Sequence, residues 1–216
     1  MTSDNYKTSA VLFDLDGTLT DSLPLIRQTY FKVFNEMSIP WGDDDVMKWI
    51  GRTLQDIAVY FAGKEAAGLF IERYQIHYHR DHDQLMKLFP GTREMLEVLK
   101  KDGVKAGIVT SKGRPGTERT VEFTGIGSYM DVIVTAHDLD RHKPLPDPIF
   151  LALKAINVKP KEAVFVGDSR FDLESGKAAG VKVVGVSWGI CSAVELMNYS
   201  PLGVIDSWEE LIKKYI

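Results

Sequence analysis

The hydrophobic period of this chain changes twice, and that restricts its fold more than any other feature. Ala10-Val11-Leu12-Phe13 is a continuous apolar run, the length of a strand buried on both faces. From Leu23 the spacing turns helical: Leu23, Ile26, Tyr30, Val33, Phe34 and Met37 recur at threes and fours, with Asp21 or Ser22 as candidate N-cap and Pro24 in the first turn. Pro40 and Gly42 stop that helix. Val46, Trp49 and Ile50 suggest a short second helix, Leu54, Ile57 and Phe61 a third from Thr53, and Ala67, Phe70, Ile71, Tyr74 and Tyr78 a longer fourth. No strand period occurs between about Asp21 and Leu88.

Beyond Pro90-Gly91 the period alternates. A helix through Met95, Leu96 and Leu99 precedes a strand at 104–109, then come a helix from about Pro115 to Gly125 and a strand at 132–134. Asp147-Pro148 resembles an N-cap followed by a first-turn proline, opening a helix to Asn157. Strands at 163–166, 181–186 and around Val204-Ile205 follow, with a helix ending at Gly180 between the first two and a last helix closing the chain. Strands separated by helices demand a parallel sheet covered on both faces. The expected architecture is α/β: a Rossmann-like parallel sheet core, residues 1–20 and 87–216, with an inserted all-helical cap domain, residues 21–86. A chain of 216 residues falls between one and two average domains, which such a division accounts for.

Charge narrows the partners. Asp and Glu number 30 against 26 Lys and Arg, without the basic excess that a phosphate-backbone binder shows, so no nucleic-acid partner is expected. No segment approaches the ~20 apolar residues of a membrane span, and the first ten residues are too polar for a secretion signal. The expectation is a cytoplasmic protein with no membrane partner, a monomer or a homodimer. The single cysteine, Cys191, forms no intrachain disulfide and no zinc cluster by itself.

In open parallel sheets, ligands bind beyond the carboxyl ends of the strands. The first strand runs into Asp14-Leu15-Asp16-Gly17-Thr18, the second into Thr110, Ser111 and Lys112, the third through 136–141 into His142-Lys143-Pro144, and the fourth into Gly167-Asp168-Ser169 with Asp172 close behind. Any one of these acids serves as a turn residue or N-cap in many proteins, and Asp168 with Ser169 suits the start of a helix. Their convergence on one sheet edge needs another explanation. Carboxylates sharing a pocket repel by about 4 kcal/mol per pair at ~4 Å and an effective dielectric near 20. A hard divalent cation such as Mg²⁺ cancels that repulsion, and lysine and threonine beside it suit a phosphate dianion.

These residues resemble the haloacid dehalogenase-like hydrolases. Phe13-Asp14-Leu15-Asp16-Gly17-Thr18-Leu19-Thr20-Asp21-Ser22 is similar to that family's first motif, Thr110 to its second, Lys143 in Lys-Pro-Leu-Pro-Asp-Pro to its third, and Gly167-Asp168-Ser169-Arg170-Phe171-Asp172 to its fourth. The resemblance covers nearly the whole chain, in order, and the helical block resembles the cap of the branch holding phosphoglycolate phosphatases and β-phosphoglucomutases. It implies a Mg²⁺-dependent phosphatase of small phosphorylated metabolites. Asp14 would be the nucleophile that forms an aspartyl-phosphate, and Asp16 the acid and base. Asp14, the Asp16 main-chain carbonyl and Asp168 would hold the metal, with Asp172 a ligand or its support, and Thr110, Ser111 and Lys143 would bind phosphate.

By the family's pattern, the second aspartate excludes carbon–halogen cleavage, because only an alcohol leaving group needs its proton. A β-phosphoglucomutase-like mutase would have glutamate at Gly167 and more often a valine-like residue at Thr18; a pyrophosphatase of the same family is the other alternative. Ser111 stands where phosphoglycolate phosphatases often have asparagine. Arg52, between two cap helices, is a candidate to grip a substrate carboxylate or second phosphate, or else is a solvated loop arginine. His77, His79 and His82 splay around a helix and do not form a zinc site, Gly125-Ile126-Gly127 is no dinucleotide fingerprint, and Trp41 and Trp49 are expected to pack the cap.

Overall fold

The structure is a computed structural model and describes residues 8–216. β1 (Ala10–Phe13) is buried along its whole length because strands pair with it on both sides. The chain then leaves the sheet for α1 (Leu23–Glu36), a 3₁₀ turn at Asp45–Trp49 and α2 (Leu54–Leu85). It returns through α3 (Thr92–Lys101), β2 (Lys105–Val109), α4 (Arg114–Thr124), β3 (Val132–Val134), α5 (Asp147–Ala155), β4 (Ala163–Gly167), α6 (Arg170–Ala179), β5 (Lys182–Val186), α7 (Ala193–Met197), β6 (Gly203–Ile205) and α8 (Trp208–Tyr215). All pairings are parallel, in the order β3-β2-β1-β4-β5-β6. This is the α/β, Rossmann-like sheet expected from the alternation.

Side chains alternate across each strand and so build two cores. Val11, Phe13, Val164 and Val166 bury against Leu96 and Leu99 of α3 and Trp208 and Leu211 of α8. Ala10, Leu12 and Phe165 bury on the opposite face against Ile149 and Leu153 of α5 and Leu173 of α6. Each large apolar side chain removed from water in this way contributes about 1.5–3 kcal/mol. The helical block has a third cluster of its own, in which Leu25, Tyr30 and Phe34 of α1 meet Phe70 and Tyr78 of α2. The outgoing and returning chain run side by side: the Asp21 amide donates to the Lys87 carbonyl at 2.9 Å, and the Phe89 amide to Leu19 at 3.1 Å.

Local details depart from the sequence expectation in three places. The expected third and fourth helices are two halves of α2 that meet at Gly63, with φ +79° and ψ 163°. Nothing lies within 4 Å of where a Cβ would sit there, so the backbone angle and not crowding calls for glycine. Asp147 is already the first helical residue of α5, with Pro146 as N-cap, and the helix ends at Ala155 with Asn157 at φ +53°. Finally, α7 was not anticipated. Its Ser192–Glu195 capping box is a readable S-x-x-E signature, hidden by the helix being only five residues long.

Candidate active site

The strand order reverses at β1, which lies between β2 and β4, so the residues after these strands meet at one edge. The Asp14 amide still belongs to the sheet, donating to the Val166 carbonyl at 2.9 Å, and its side chain is the first to leave it. Lys143, from the loop after β3, extends a fully buried side chain between two acids. Its ammonium donates to Asp14 Oδ1 at 2.8 Å and to Asp172 Oδ1 at 2.6 Å. Asp172 is held from the other side, where its Oδ2 accepts from the Ser169 amide at 3.0 Å and the Ser169 hydroxyl at 2.5 Å. Ser169 therefore does start α6, and its capping-box partner is also the lysine's anchor.

Asp168 sits in a cradle of small groups. It accepts from the Thr18 hydroxyl at 3.1 Å and the Ile190 amide at 2.8 Å. A Cβ on Gly17, whose φ is +85°, would fall 2.2 Å from its carboxylate oxygen, and one on Gly189 would fall 2.1 Å from its Cβ. Both positions exclude any side chain.

Burial dominates the electrostatics. It pushes the Asp14 carboxyl up to about 7, with the Lys143 charge pulling against it and Asp172 adding to it. Burial, followed by the charges of Asp172 and Asp14, also raises Asp168 well above the usual carboxylate range. Burial alone would lower the Lys143 ammonium, but Asp14 and Asp172 outweigh it and keep it charged. Asp14, Asp168 and Asp172 each offer an oxygen within 4.8 Å of the others. With all three acids ionised, one ammonium leaves a negative excess, and an all-oxygen donor set of that kind fits a hard divalent cation.

Above Asp14 opens a cavity of about 100 Å³, lined also by Asp16, Arg52, Thr110, Ser111 and Lys112, and roofed by Tyr30, Tyr74 and Tyr78 from the helical block. The Asp16 carboxylate does not join the acid cluster through its side chain. It accepts from the Lys112 ammonium at 2.9 and 3.1 Å, and Lys112 donates in addition to the Tyr78 hydroxyl. Ser111 donates from its hydroxyl to the Gly51 carbonyl at 2.6 Å, tying the β2 end to the helical block. Arg52 is no free loop residue: Nε lies 3.4 Å from an Asp56 oxygen, and the guanidinium stands 5.7 Å from the Phe171 ring centre. The structure thus joins Asp14, Lys143 and Asp172 by direct contact, sets an Asp168 oxygen within 4.8 Å of both acids, and lines Asp16, Thr110, Ser111 and Arg52 around the cavity over them.

Sequence reasoning placed Lys112 at a strand end without giving it a role, and passed over Gly189. Lys112 had a signal, its place two residues after Thr110 at a strand end. Gly189 had none, because it approaches Asp168 from a loop after β5. Among the described residues the acid cluster is the one set of three or more ligating groups close enough to hold an ion. The histidines go elsewhere: His77 to Glu36, His79 to Arg119, and His82 to Asp83 and Thr120.

Residues 11–186 match the family model described as haloacid dehalogenase-like hydrolase. The pyrophosphatase PpaX of Bacillus velezensis is 36% identical over 209 residues, 95% of this chain and 95% of that protein. Among solved structures, a predicted phosphatase from Clostridium acetobutylicum is similar with a TM-score of 0.86 at 28% identity, over 96% of this chain and 98% of that one. A predicted phosphoglycolate phosphatase from Haemophilus somnus is similar with a TM-score of 0.85 at 25% identity, over 95% and 96%.

Proposed function

We infer that this chain, which belongs to the haloacid dehalogenase-like hydrolase family and is a phosphatase, hydrolyses small phosphate monoesters of phosphoglycolate size with Mg²⁺, through an aspartyl-phosphate on Asp14. The observation that carries this reading is the unbroken contact from Asp14 through Lys143 to Asp172 at the sheet edge, under a cavity that also holds Asp16. In the first step an Asp14 oxygen attacks phosphorus as the bond to the leaving oxygen breaks, and Asp16 gives that oxygen its proton. In the second, Asp16 takes a proton from the water that cleaves the acyl phosphate, releasing inorganic phosphate and restoring both acids. Lys143 and Thr110 hold phosphoryl oxygens in both steps, with Ser111 beside them. Asp14, Asp168 and the Asp16 main-chain carbonyl would hold the metal, with Asp172 a ligand or the anchor of Lys143, and the ion would offset the charge of the phosphoryl group. Residues 21–86 would act as a cap over a core of 1–20 and 87–216, of which 1–7 lie outside the described residues, shutting out bulk water while leaving room for the one water that cleaves the acyl phosphate.

Two observations order the alternatives. A side chain at Gly167 would begin 2.3 Å from the Cβ of Asp172, so the glutamate expected of a mutase has no room beside this aspartate. Inorganic pyrophosphate is the second substrate reading, supported by the name of the Bacillus velezensis relative and by a cavity with Lys112 and Arg52 on its lining. The test is phosphate release from phosphoglycolate, pyrophosphate, nucleotides and sugar phosphates, with Mg²⁺, ranked by kcat/KM. Turnover of the small substrates is expected, and its complete loss in Asp14→Asn. Robust turnover by that variant would refute the covalent mechanism.

A further inference from the structure

We propose that Lys112, held in register by Tyr78, is a specificity-determining residue that reads the charge of the leaving group. It selects substrates whose leaving oxygen is attached to a second anionic group, a carboxylate or another phosphoryl group. This rests on the reading of Asp16 as the group that meets the leaving oxygen.

The Lys112 ammonium lies 2.9 and 3.1 Å from the two Asp16 oxygens. An acid that protonates the leaving oxygen sits about 2.7 Å from it, so the ammonium is within about 6 Å of that oxygen. That span covers the atoms directly beyond the leaving oxygen. Lys112 is almost buried, with 12% of its side chain exposed, and it lines the same cavity as Asp14. An ammonium carries three N–H donors. Both Asp16 oxygens and the Tyr78 hydroxyl accept from it, so a ligand anion in the cavity would take the donor that now reaches the second Asp16 oxygen.

An aromatic wall backs the lysine. Its ammonium is 4.6 Å from the Tyr78 ring centre, Tyr78 stacks on Tyr74 at 5.7 Å and 16°, and Tyr74 meets Tyr30 at 4.7 Å. This aromatic wall comes from α1 and α2, whereas Lys112 and Asp16 come from sheet ends. The charge reader is therefore assembled only when the helical block is seated on the core.

The test compares leaving groups of unequal charge: phosphoglycolate with phosphoglycolamide, which match in size, and pyrophosphate with methyl phosphate, whose size difference cancels when each variant is referred to wild type. Wild type is expected to favour phosphoglycolate over its amide at least tenfold in kcat/KM. Lys112→Met should shrink the charged-to-uncharged ratio by about 10- to 100-fold, mostly through KM, the loss of one charge-assisted hydrogen bond. Lys112→Arg, which keeps the charge, should retain most of the preference, and Tyr78→Phe should lose a smaller part. Whichever pair shows the larger change tells a carboxylate from a phosphoryl leaving group. Equal losses on charged and uncharged substrates in Lys112→Met overturn the proposal, since the lysine then acts only by holding Asp16. Should that variant fail to fold, wild type decides alone: cleavage of the amide as efficiently as phosphoglycolate overturns it. No turnover of any substrate overturns the phosphatase reading as well, while turnover without charge preference overturns this inference only.

Discussion

At the scale of single residues, the site depends on how closely the surroundings press on a few carboxylates. Asp172 fills two roles with its two oxygens, one on Lys143 and one on Ser169, so a helix cap and a buried ion pair share a side chain. Asp16 is separate from that cluster and answers to Lys112. Asp16→Ala should cost about 10²–10⁴ in kcat with ordinary leaving groups, the usual worth of a positioned proton donor, and less on a substrate whose leaving group needs no proton, such as p-nitrophenyl phosphate. Because Asp16 also serves the water step that both substrates share, the deciding comparison is kcat/KM, which reports the first step: an equal loss there would remove Asp16 from protonating the leaving group. The glycines around Asp168 give a second prediction. Gly189→Ala places a Cβ 2.1 Å from the Asp168 Cβ, so the carboxylate must shift. The variant should need at least tenfold more Mg²⁺ for half-maximal activity, as measured by metal titration, because displaced ligands and supports typically cost 10–100-fold in affinity.

At the scale of elements, α2 connects the two halves of the molecule. Its Tyr78 reaches Lys112, and its last turns carry His82, whose Nε2 meets the Thr120 hydroxyl of α4 at 3.1 Å and whose Nδ1 meets Asp83 at 2.7 Å. Burial lowers the proton affinity of His82, with the Asp83 hydrogen bond opposing it. The folded imidazole thus titrates below the ordinary value near 6.5. As pH falls, the unfolded chain takes up the proton first, so this group's contribution is intact above about pH 6.5 and is lost as pH drops through the folded value. Wild type should lose more Tm between pH 7.5 and 5.5 than His82→Gln does in the same scan. His79, also lowered by burial, is present in both proteins and cancels in the comparison. Equal losses would assign the acid sensitivity to other groups. The position of α2 over the sheet had no counterpart in the sequence: the apolar spacing of Phe70, Tyr74 and Tyr78 forecast a helix, but not that Tyr78 would face a lysine from β2's end.

At the scale of the whole molecule, charge is distributed by depth. Acids exceed bases by four overall, yet the buried acid cluster sets three carboxylates against one lysine, a set that fits a divalent cation. A divalent ion that binds the folded state alone stabilises it by about 2.7 kcal/mol at a hundred times its dissociation constant. Mg²⁺ should therefore raise Tm by several degrees in wild type, chelation should remove activity and that increment together, and Asp168→Asn should abolish the increment. An unchanged wild-type Tm across saturating Mg²⁺ would argue against a metal in this cluster. Most of this architecture was readable in advance. The apolar run at 10–13 and the alternation after residue 104 determined a parallel sheet, because strand and helix periods follow from backbone geometry. A parallel sheet brings its strand ends to one edge, so Asp14, Thr110, Lys143 and Asp168 converge by topology alone. Tertiary structure decided what the pattern does not encode: that Asp16 pairs with Lys112, that Ser111 bonds to Gly51, that Gly189 closes over Asp168, and that Arg52 leans on Phe171. Each of these contacts joins segments whose separation along the chain has no period, and only packing in three dimensions sets which side chains meet.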